Sequence, residues 1–281
     1  MNFKRIALIL TITLTLFLMV SSACAGDFFD FLNSDNTKTE NTNDTFIVGF
    51  NSHFPPFGYK DNNGNYTGFD LELAQEVCKR NNWTFVAQPI IDWDSKEVEL
   101  NSNEIDCIWS EFTINGREDQ YTWSEPYFNN TKVVIVKSDS NINTLDDLKG
   151  KIIEVQEGSS ILKTLETQNK TFKDSFKEIK QVDGYDSALM DLDSGVCDAV
   201  IADYGLASYK VVTQFKDKDF KILNQTISNE QYGIGFKKGN TELRDQVQKT
   251  LDEMFKDGTV DKIAQKYSDY KLSEYLVNPN K

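Results

Sequence analysis

The sequence predicts an α/β fold with mixed, mostly parallel sheets, arranged as two similar lobes, and three observations predict it. From residue 45 onward, short β-branched or apolar runs alternate with segments of helical period, the pattern of strands joined by helical crossovers. Residues 100–117 (LNSNEIDCIWSEFTINGR) place the apolar run Cys107–Ile108–Trp109 between turn signals, a buried strand followed by polar residues. Just past the carboxyl end of such a strand is where open α/β sheets put their ligand chemistry. Finally, residues 100–111 (LNSNEIDCIWSE) echo residues 192–203 (LDSGVCDAVIAD). Both open Leu-x-Ser, Asp106 matches Asp198, and each unit ends on an acid, Glu111 or Asp203, five places later. An echo of this kind puts both acids at the carboxyl ends of equivalent strands.

Taken in order, residues 46–50 form a strand, 51–57 (NSHFPPF) a loop, and 59–66 a hairpin-like turn around Asp61–Gly64. Residues 69–81 carry Leu71, Ala74 and Cys78 on one stripe, which predicts a helix. A strand over 83–89, an acidic turn over 91–95 and a short helix near 96–101 lead to the Cys107 strand. Then come a β-branched strand over 132–137, a helical turn over 144–149 closed by Gly150, and a strand over 151–156. Gly158–Ser159–Ser160 opens a helix to about 168; a helix over 183–194 ends at Gly195, before a strand over 196–202. A helix over 204–214, a strand over 232–236 and helices over 241–256 and 259–267 complete the chain.

The 281 residues carry a net charge of −14, and 26% of them are charged. A surface this acidic argues against nucleic acid, whose phosphates need basic patches. Residues 1–25 read as a secretory signal: Lys4–Arg5, an uncharged apolar run over 6–20, then small residues up to Ala25. Without that segment, 28 basic residues face 44 acidic ones, net −16. Two processing outcomes are open. Ala23–Cys24–Ala25 suits cleavage to a released protein, whereas Ser22–Ala23–Cys24 resembles a lipoprotein signal in which Cys24 is acylated, although Ser21 stands where leucine is usual. Residues 26–44, rich in Asn, Asp and Thr, read as a flexible tether and favour the lipoprotein outcome; the Phe28–Phe29–Phe31 cluster has no account there. Cys78, Cys107 and Cys197 read as buried thiols, with one disulfide plus a free thiol as the alternative; no metal-ligand spacing is present.

Catalysis finds little support. His53 is the single histidine, no G-x-S-x-G, H-E-x-x-H or P-loop pattern occurs, and Asp92–Trp93–Asp94 reads as a solvated turn. Ligand binding finds more. Arg117 can grip a carboxylate through two parallel bonds, with Thr113 as a hydroxyl donor beside it. Gly158 and Ser159 at a helix start offer a second anion contact. Asp203 can pair with an ammonium, and Phe54 and Trp93 can wall an apolar or planar group. Singly each has an ordinary structural explanation; together they describe a pocket for a zwitterion.

These residues lie in motifs that resemble a known family: FPPFGYKD (54–61) with NGNYTGFD (63–70), IDCIWSEFTINGR (105–117), WSEPY (123–127), LDDLKGK (145–151), VQEGSS (155–160), CDAVIAD (197–203) and YGIGFKKG (232–239). In order and at matching spacing over about 46–267, they resemble the solute-binding proteins of ABC importers for polar amino acids, with the two-lobed type II periplasmic-binding fold. The resemblance implies a first lobe of residues 45–131 plus 228–281, a second of 132–227, and a ligand between them. It implies that Arg117 and Thr113, with Ser159, hold the ligand carboxylate, Asp203 the ammonium, and Phe54 and Trp93 the sides, with Asn51 near the ligand side chain. It further implies an extracytoplasmic monomer, with no cofactor, that passes a free amino acid to an importer's permease subunits. Two features depart from the pattern: Glu111 stands where a small residue, often Gly, is usual, and the segment from Thr113 to Arg117 is one residue shorter. If Glu111 faces the cleft, it favours a ligand with a donor or cationic side chain; the alternative is a solvated rim. An exported dehydratase of cyclic amino-acid precursors and a ligand sensor for a membrane receptor are the competing functions.

Overall fold

The computed structural model describes residues 44–278 except Gln168. The signal segment, Cys24 and the tether up to residue 43 lie outside the described residues. The elements are β1 (Thr45–Phe50), β2 (His53–Phe54), β3 (Gly58–Lys60), β4 (Tyr66–Thr67), α1 (Phe69–Asn81), β5 (Thr84–Pro89), α2 (Lys96–Ser102), β6 (Cys107–Ile108), β7 (Thr122–Trp123) and β8 (Phe128–Lys137). They continue with β9 (Ile152–Gln156), α3 (Ser160–Thr167), α4 (Lys170–Lys173), β10 (Glu178–Val182), α5 (Tyr185–Ser194), β11 (Ala199–Asp203), α6 (Tyr204–Val212), β12 (Phe220–Ile222), β13 (Ser228–Tyr232), β14 (Gly235–Phe236), α7 (Thr241–Lys256) and α8 (Thr259–Gln265).

Two mixed sheets carry the molecule. The first runs β5-β1-β6-β14-β7; the second runs β10-β9-β11-β8-β12, with β13 also on β8. In each, three adjacent strands pair parallel (β5-β1-β6 and β10-β9-β11), and one reversed strand, β14 or β8, makes all the remaining pairings antiparallel, so the sheets are more mixed than the strand–helix alternation implies. The period of two shows in β8. Val133 and Ile135 enter one apolar cluster while Val134 and Val136 enter another, as expected of a strand buried on both faces. Phe46, Val48 and Phe50 of β1 pack with Leu71, Ala74 and Cys78 of α1, the helix stripe read from the sequence. Cys78, Cys107 and Cys197 are buried free thiols.

The repeated unit is structural. The Asn103 N–H after α2 bonds the carbonyls of Glu99 and Leu100; the Gly195 N–H after α5 bonds those of Asp191 and Leu192, and both caps are left-handed. Next, the Asp106 amide donates to the Ile47 carbonyl (2.8 Å) while its carboxylate accepts from the Ile47 N–H (2.7 Å). Asp198 does the same to Ile152, at 2.9 and 2.8 Å. Each aspartate thus sets the register of the neighbouring parallel strand and points its own strand toward the same end of its sheet.

Several differences from the sequence reading share a cause. The strand expected over 132–137 begins at Phe128, and that over 232–236 divides into β13 and β14. β10, β12 and β13 had no apolar signal, because edge and cleft-lining strands carry polar residues on one face. The turn at Leu145–Leu148 is a 3₁₀ helix under a Thr144–Asp147 capping box.

The duplicated clamps lead to a stability prediction. Asp106→Ala leaves the Ile47 N–H without its acceptor and is expected to cost about 1–3 kcal/mol, measured as a shift in the urea unfolding midpoint; Asp106→Asn should retain part of it.

Candidate functional site

The carboxyl ends of the parallel strands meet at one cleft. From the first sheet come the segments after β1 and β6; from the second, the turn after β9 and the last residue of β11. A cavity of about 30 Å³ remains between them, with Phe54, Trp93, Glu111, Thr113, Arg117, Gly158, Ser159 and Asp203 on its sides. Eight of the nine ligand residues expected from the sequence therefore converge. The ninth, Asn51, is not among the residues lining this cavity; its Oδ1 accepts from the His53 N–H (3.0 Å), and its own N–H donates to Ser110 Oγ (3.0 Å).

Arg117 spans the cleft. Its Nη1 donates to the Thr113 carbonyl (3.2 Å) and its Nη2 to the Gly158 carbonyl (3.1 Å), so it touches both lobes. The guanidinium lies 5.2 Å over the Phe112 ring, whose edge meets Trp93. Among the described residues no carboxylate lies within 4.0 Å of it. Burial pulls its pKa below the usual guanidinium range, the mark of a charge whose compensation is incomplete. Trp93 is held in turn by Lys96, whose Nζ donates to the Trp93 carbonyl (3.0 Å) and lies 5.3 Å over its ring. Gly158 has φ +66°, and a Cβ there would meet Asp94 Oδ1 at 2.3 Å, so glycine is the residue this turn takes without strain.

Glu111 faces the cleft and is 8% exposed. Its φ of +42° is in the left-handed region, which costs a residue with a Cβ about 1–2 kcal/mol. A glycine at this position would carry no such cost. The Glu111 N–H donates to Asp70 Oδ2 (2.7 Å), and its Oε2 accepts from Ser110 Oγ (2.5 Å). Asp70, at the first turn of α1, also accepts from the Tyr127 hydroxyl (2.8 Å). Burial lifts the Asp70 carboxyl to about 7 against the pull of these two bonds. Burial, then the nearby Asp70 charge, lifts Glu111 well above the carboxylate range.

Asp203 is enclosed. Its Oδ1 accepts from Asn130 Nδ2, from Lys132 Nζ (2.8 Å) and from the Tyr232 hydroxyl (2.7 Å), and its Oδ2 from Lys132 Nζ (3.0 Å). Lys132 also lies 3.5 Å from Glu230 Oε2. Glu230 Oε2 accepts the hydroxyls of Thr113 and Ser160, each at 2.9 Å, one from either lobe. Burial lowers the pKa of Lys132, but Asp203 and Glu230 more than reverse this, so it stays raised. Sequence reading passed over Lys132, Glu230 and Asp70. A charged residue at the start of a strand looks solvated until the partner that buries it is known.

The raised carboxyls give a pH prediction. Each binds its proton more tightly folded than unfolded. Their contribution is therefore fully present below the unfolded carboxylate range and is lost as pH rises through the folded values, near 7 for Asp70. The urea midpoint of the wild type is expected to fall between pH 5 and 8, and to fall less for Glu111→Gln; parallel profiles contradict the assignment.

Comparison with known proteins gives the family. The family model for bacterial extracellular solute-binding proteins, family 3, matches residues 46–270. The lysine/arginine/ornithine-binding periplasmic protein of Escherichia coli (strain K12) is 31% identical over 239 residues, spanning 82% of this chain and 89% of that protein. The histidine-binding periplasmic protein of the same strain is 32% identical over 233 residues, covering 79% and 87%. Among solved structures, an ancestral arginine-binding protein bound to glutamine is 38% identical with a TM-score of 0.73, covering 80% of this chain and 98% of that one. An ABC uptake transporter substrate-binding protein from Streptococcus pneumoniae with bound histidine is 31% identical with a TM-score of 0.74, covering 79% and 91%. With its two mixed α/β sheets meeting at one cleft and a match over nearly all the described residues, this chain belongs to the bacterial extracellular solute-binding proteins, family 3.

Proposed function

We propose that the protein captures a free polar amino acid outside the cytoplasm, one with a cationic or amide side chain, and passes it to an ABC importer. It is a binding protein of that family and not an enzyme. The observation that carries the ligand class is Arg117, a half-buried cation with no carboxylate partner among the described residues, facing the acid-rich end of the same cleft. A ligand carboxylate reaches Arg117 beside Thr113 and the start of α3, where Ser159 stands and the helix dipole favours an anion. The ligand ammonium then lies toward Asp203, and Phe54 and Trp93 flank its side chain. Glu111 points the choice toward a side chain that donates hydrogen bonds. Relatives named for lysine, arginine, ornithine or histidine, and a related structure holding glutamine, support that choice.

Residues 45–131 with 228–281 form the first moving body in this reading and 132–227 the second, with β8 and β13 as the segments that flex. Closure is what a permease would sense. Acylated Cys24 would tether the protein to the membrane through residues 26–44; mass spectrometry of the exported protein should find a lipid-modified Cys24 as its first residue. An N-terminus at Gly26 would instead show a released protein.

A thermal-shift screen against L-arginine, L-lysine, L-histidine, L-glutamine and L-cystine tests the central claim. Ligand at about 100 times its dissociation constant should add roughly 2.7 kcal/mol of stability. Arg117→Ala should weaken that ligand by about 2–5 kcal/mol, and Glu111→Gly should reorder the ranking. Absence of any shift across the panel would sink the proposal, and an unchanged ranking would remove Glu111 from it.

A further inference from the structure

Lys132, on β8, lies between two buried carboxylates, Asp203 of β11 and Glu230 of β13, at 2.8 and 3.5 Å. All three are 3% exposed. The two acids differ in how well they are satisfied. Oδ1 of Asp203 already takes three donors, and Lys132 covers both of its oxygens. An approaching ammonium therefore competes with Lys132 for Asp203, since a carboxylate offers only about four acceptor directions. Glu230 carries the opposite imbalance. Its Oε2 holds the Thr113 and Ser160 hydroxyls, while its Oε1 is buried with no hydrogen-bond partner among the described residues. Two carboxylates against one lysine leave one negative charge, which a single further ammonium balances.

Resting on the reading above that the ligand is an amino acid, we propose that Lys132 is a movable internal cation that sets the site's demand for a ligand α-ammonium. The ligand ammonium takes Asp203, and Lys132 shifts by one step onto the unpartnered oxygen of Glu230. Lys132 and Glu230 are positioning residues in this scheme: they act on the ligand through Asp203. Because Glu230 also holds one hydroxyl from each lobe, the shift occurs at the carboxylate that joins Thr113 to Ser160.

Calorimetric binding with matched ligand pairs tests this. Each pair is an amino acid and its deamino analogue: L-arginine with 5-guanidinopentanoate, L-glutamine with glutaramate, and L-histidine with imidazole-propionate. The pair whose amino acid the wild type binds most tightly is used. Lys132→Gln frees Asp203 and is expected to tighten the amino acid by about tenfold without tightening the analogue. Glu230→Gln removes the second place for Lys132 and should weaken the amino acid by about tenfold while sparing the analogue. In the double variant the effect of Glu230→Gln should vanish, a coupling that a purely structural role would not produce. Should Lys132→Gln fail to fold, Lys132→Arg serves in its place. Its wider fork spans both carboxylates at once, so it should weaken the amino acid and spare the analogue. Additive effects, or equal effects on amino acid and analogue, overturn the relay alone. A wild type that binds none of the three amino acids overturns the amino-acid reading and the relay together.

Discussion

The antiparallel pairing of β8 with β13 is the constraint on which the rest of the structure depends. β8 leaves the first sheet after β7 and becomes an interior strand of the second, while β13 pairs with β8 and leads back to β14 between β6 and β7. The register Ser228↔Lys132 to Tyr232↔Phe128 therefore fixes how the two sheets face each other. It also explains why these strands are polar where they cross. Asn130, Lys132, Glu230 and Tyr232 all project from the crossing toward Asp203 or its neighbours, so the strands that run between the sheets also supply the partners of Asp203.

Burying that many charges is tolerable only with close partners. Lys132 and Asp203 meet the condition through bonds of 2.8–3.0 Å, and Asp70 does so with the Glu111 N–H and the Tyr127 hydroxyl. Arg117 and Glu230 Oε1 do not. Arg117 lines the cavity beside Thr113, where a ligand carboxylate can reach it; Glu230 Oε1 is buried and off the cavity lining, so its compensation has to come from within the protein. Glu111 adds backbone strain to the same neighbourhood, the kind of local cost that persists where function retains it.

Much of this was legible in the residues, for identifiable reasons. Arg117, Asp203, Gly158 and Trp93 fall at strand ends, where an α/β sheet puts its ligands, so topology alone gathered them. The repeat around Asp106 and Asp198 was readable because both aspartates perform the same two backbone bonds and must sit at the same offset. β8 showed itself by the β-branched run after Lys132, yet its first four residues did not, since Asn129 to Thr131 carry no apolar period. Lys132 and Glu230 had no signal of their own, because only the pairing of β8 with β13 brings them within 3.5 Å. The resemblance also names Asn51, whose Oδ1 accepts from the His53 N–H in the short turn after β1.

The two sheets also differ in when they can be completed. Apart from β13, every strand of the second sheet lies in one continuous stretch from β8 to β12, so its parallel core closes over modest separations. The first sheet has its gap between β6 and β7 filled only by β14, more than a hundred residues later, and contacts that distant are slow to form. A chain emerging from its N-terminus would thus carry a finished second lobe while β6 and β7 still expose unpaired edges. The late arrival of Gly235–Phe236 therefore leaves the first sheet open along both β6 and β7 until almost the whole chain is available.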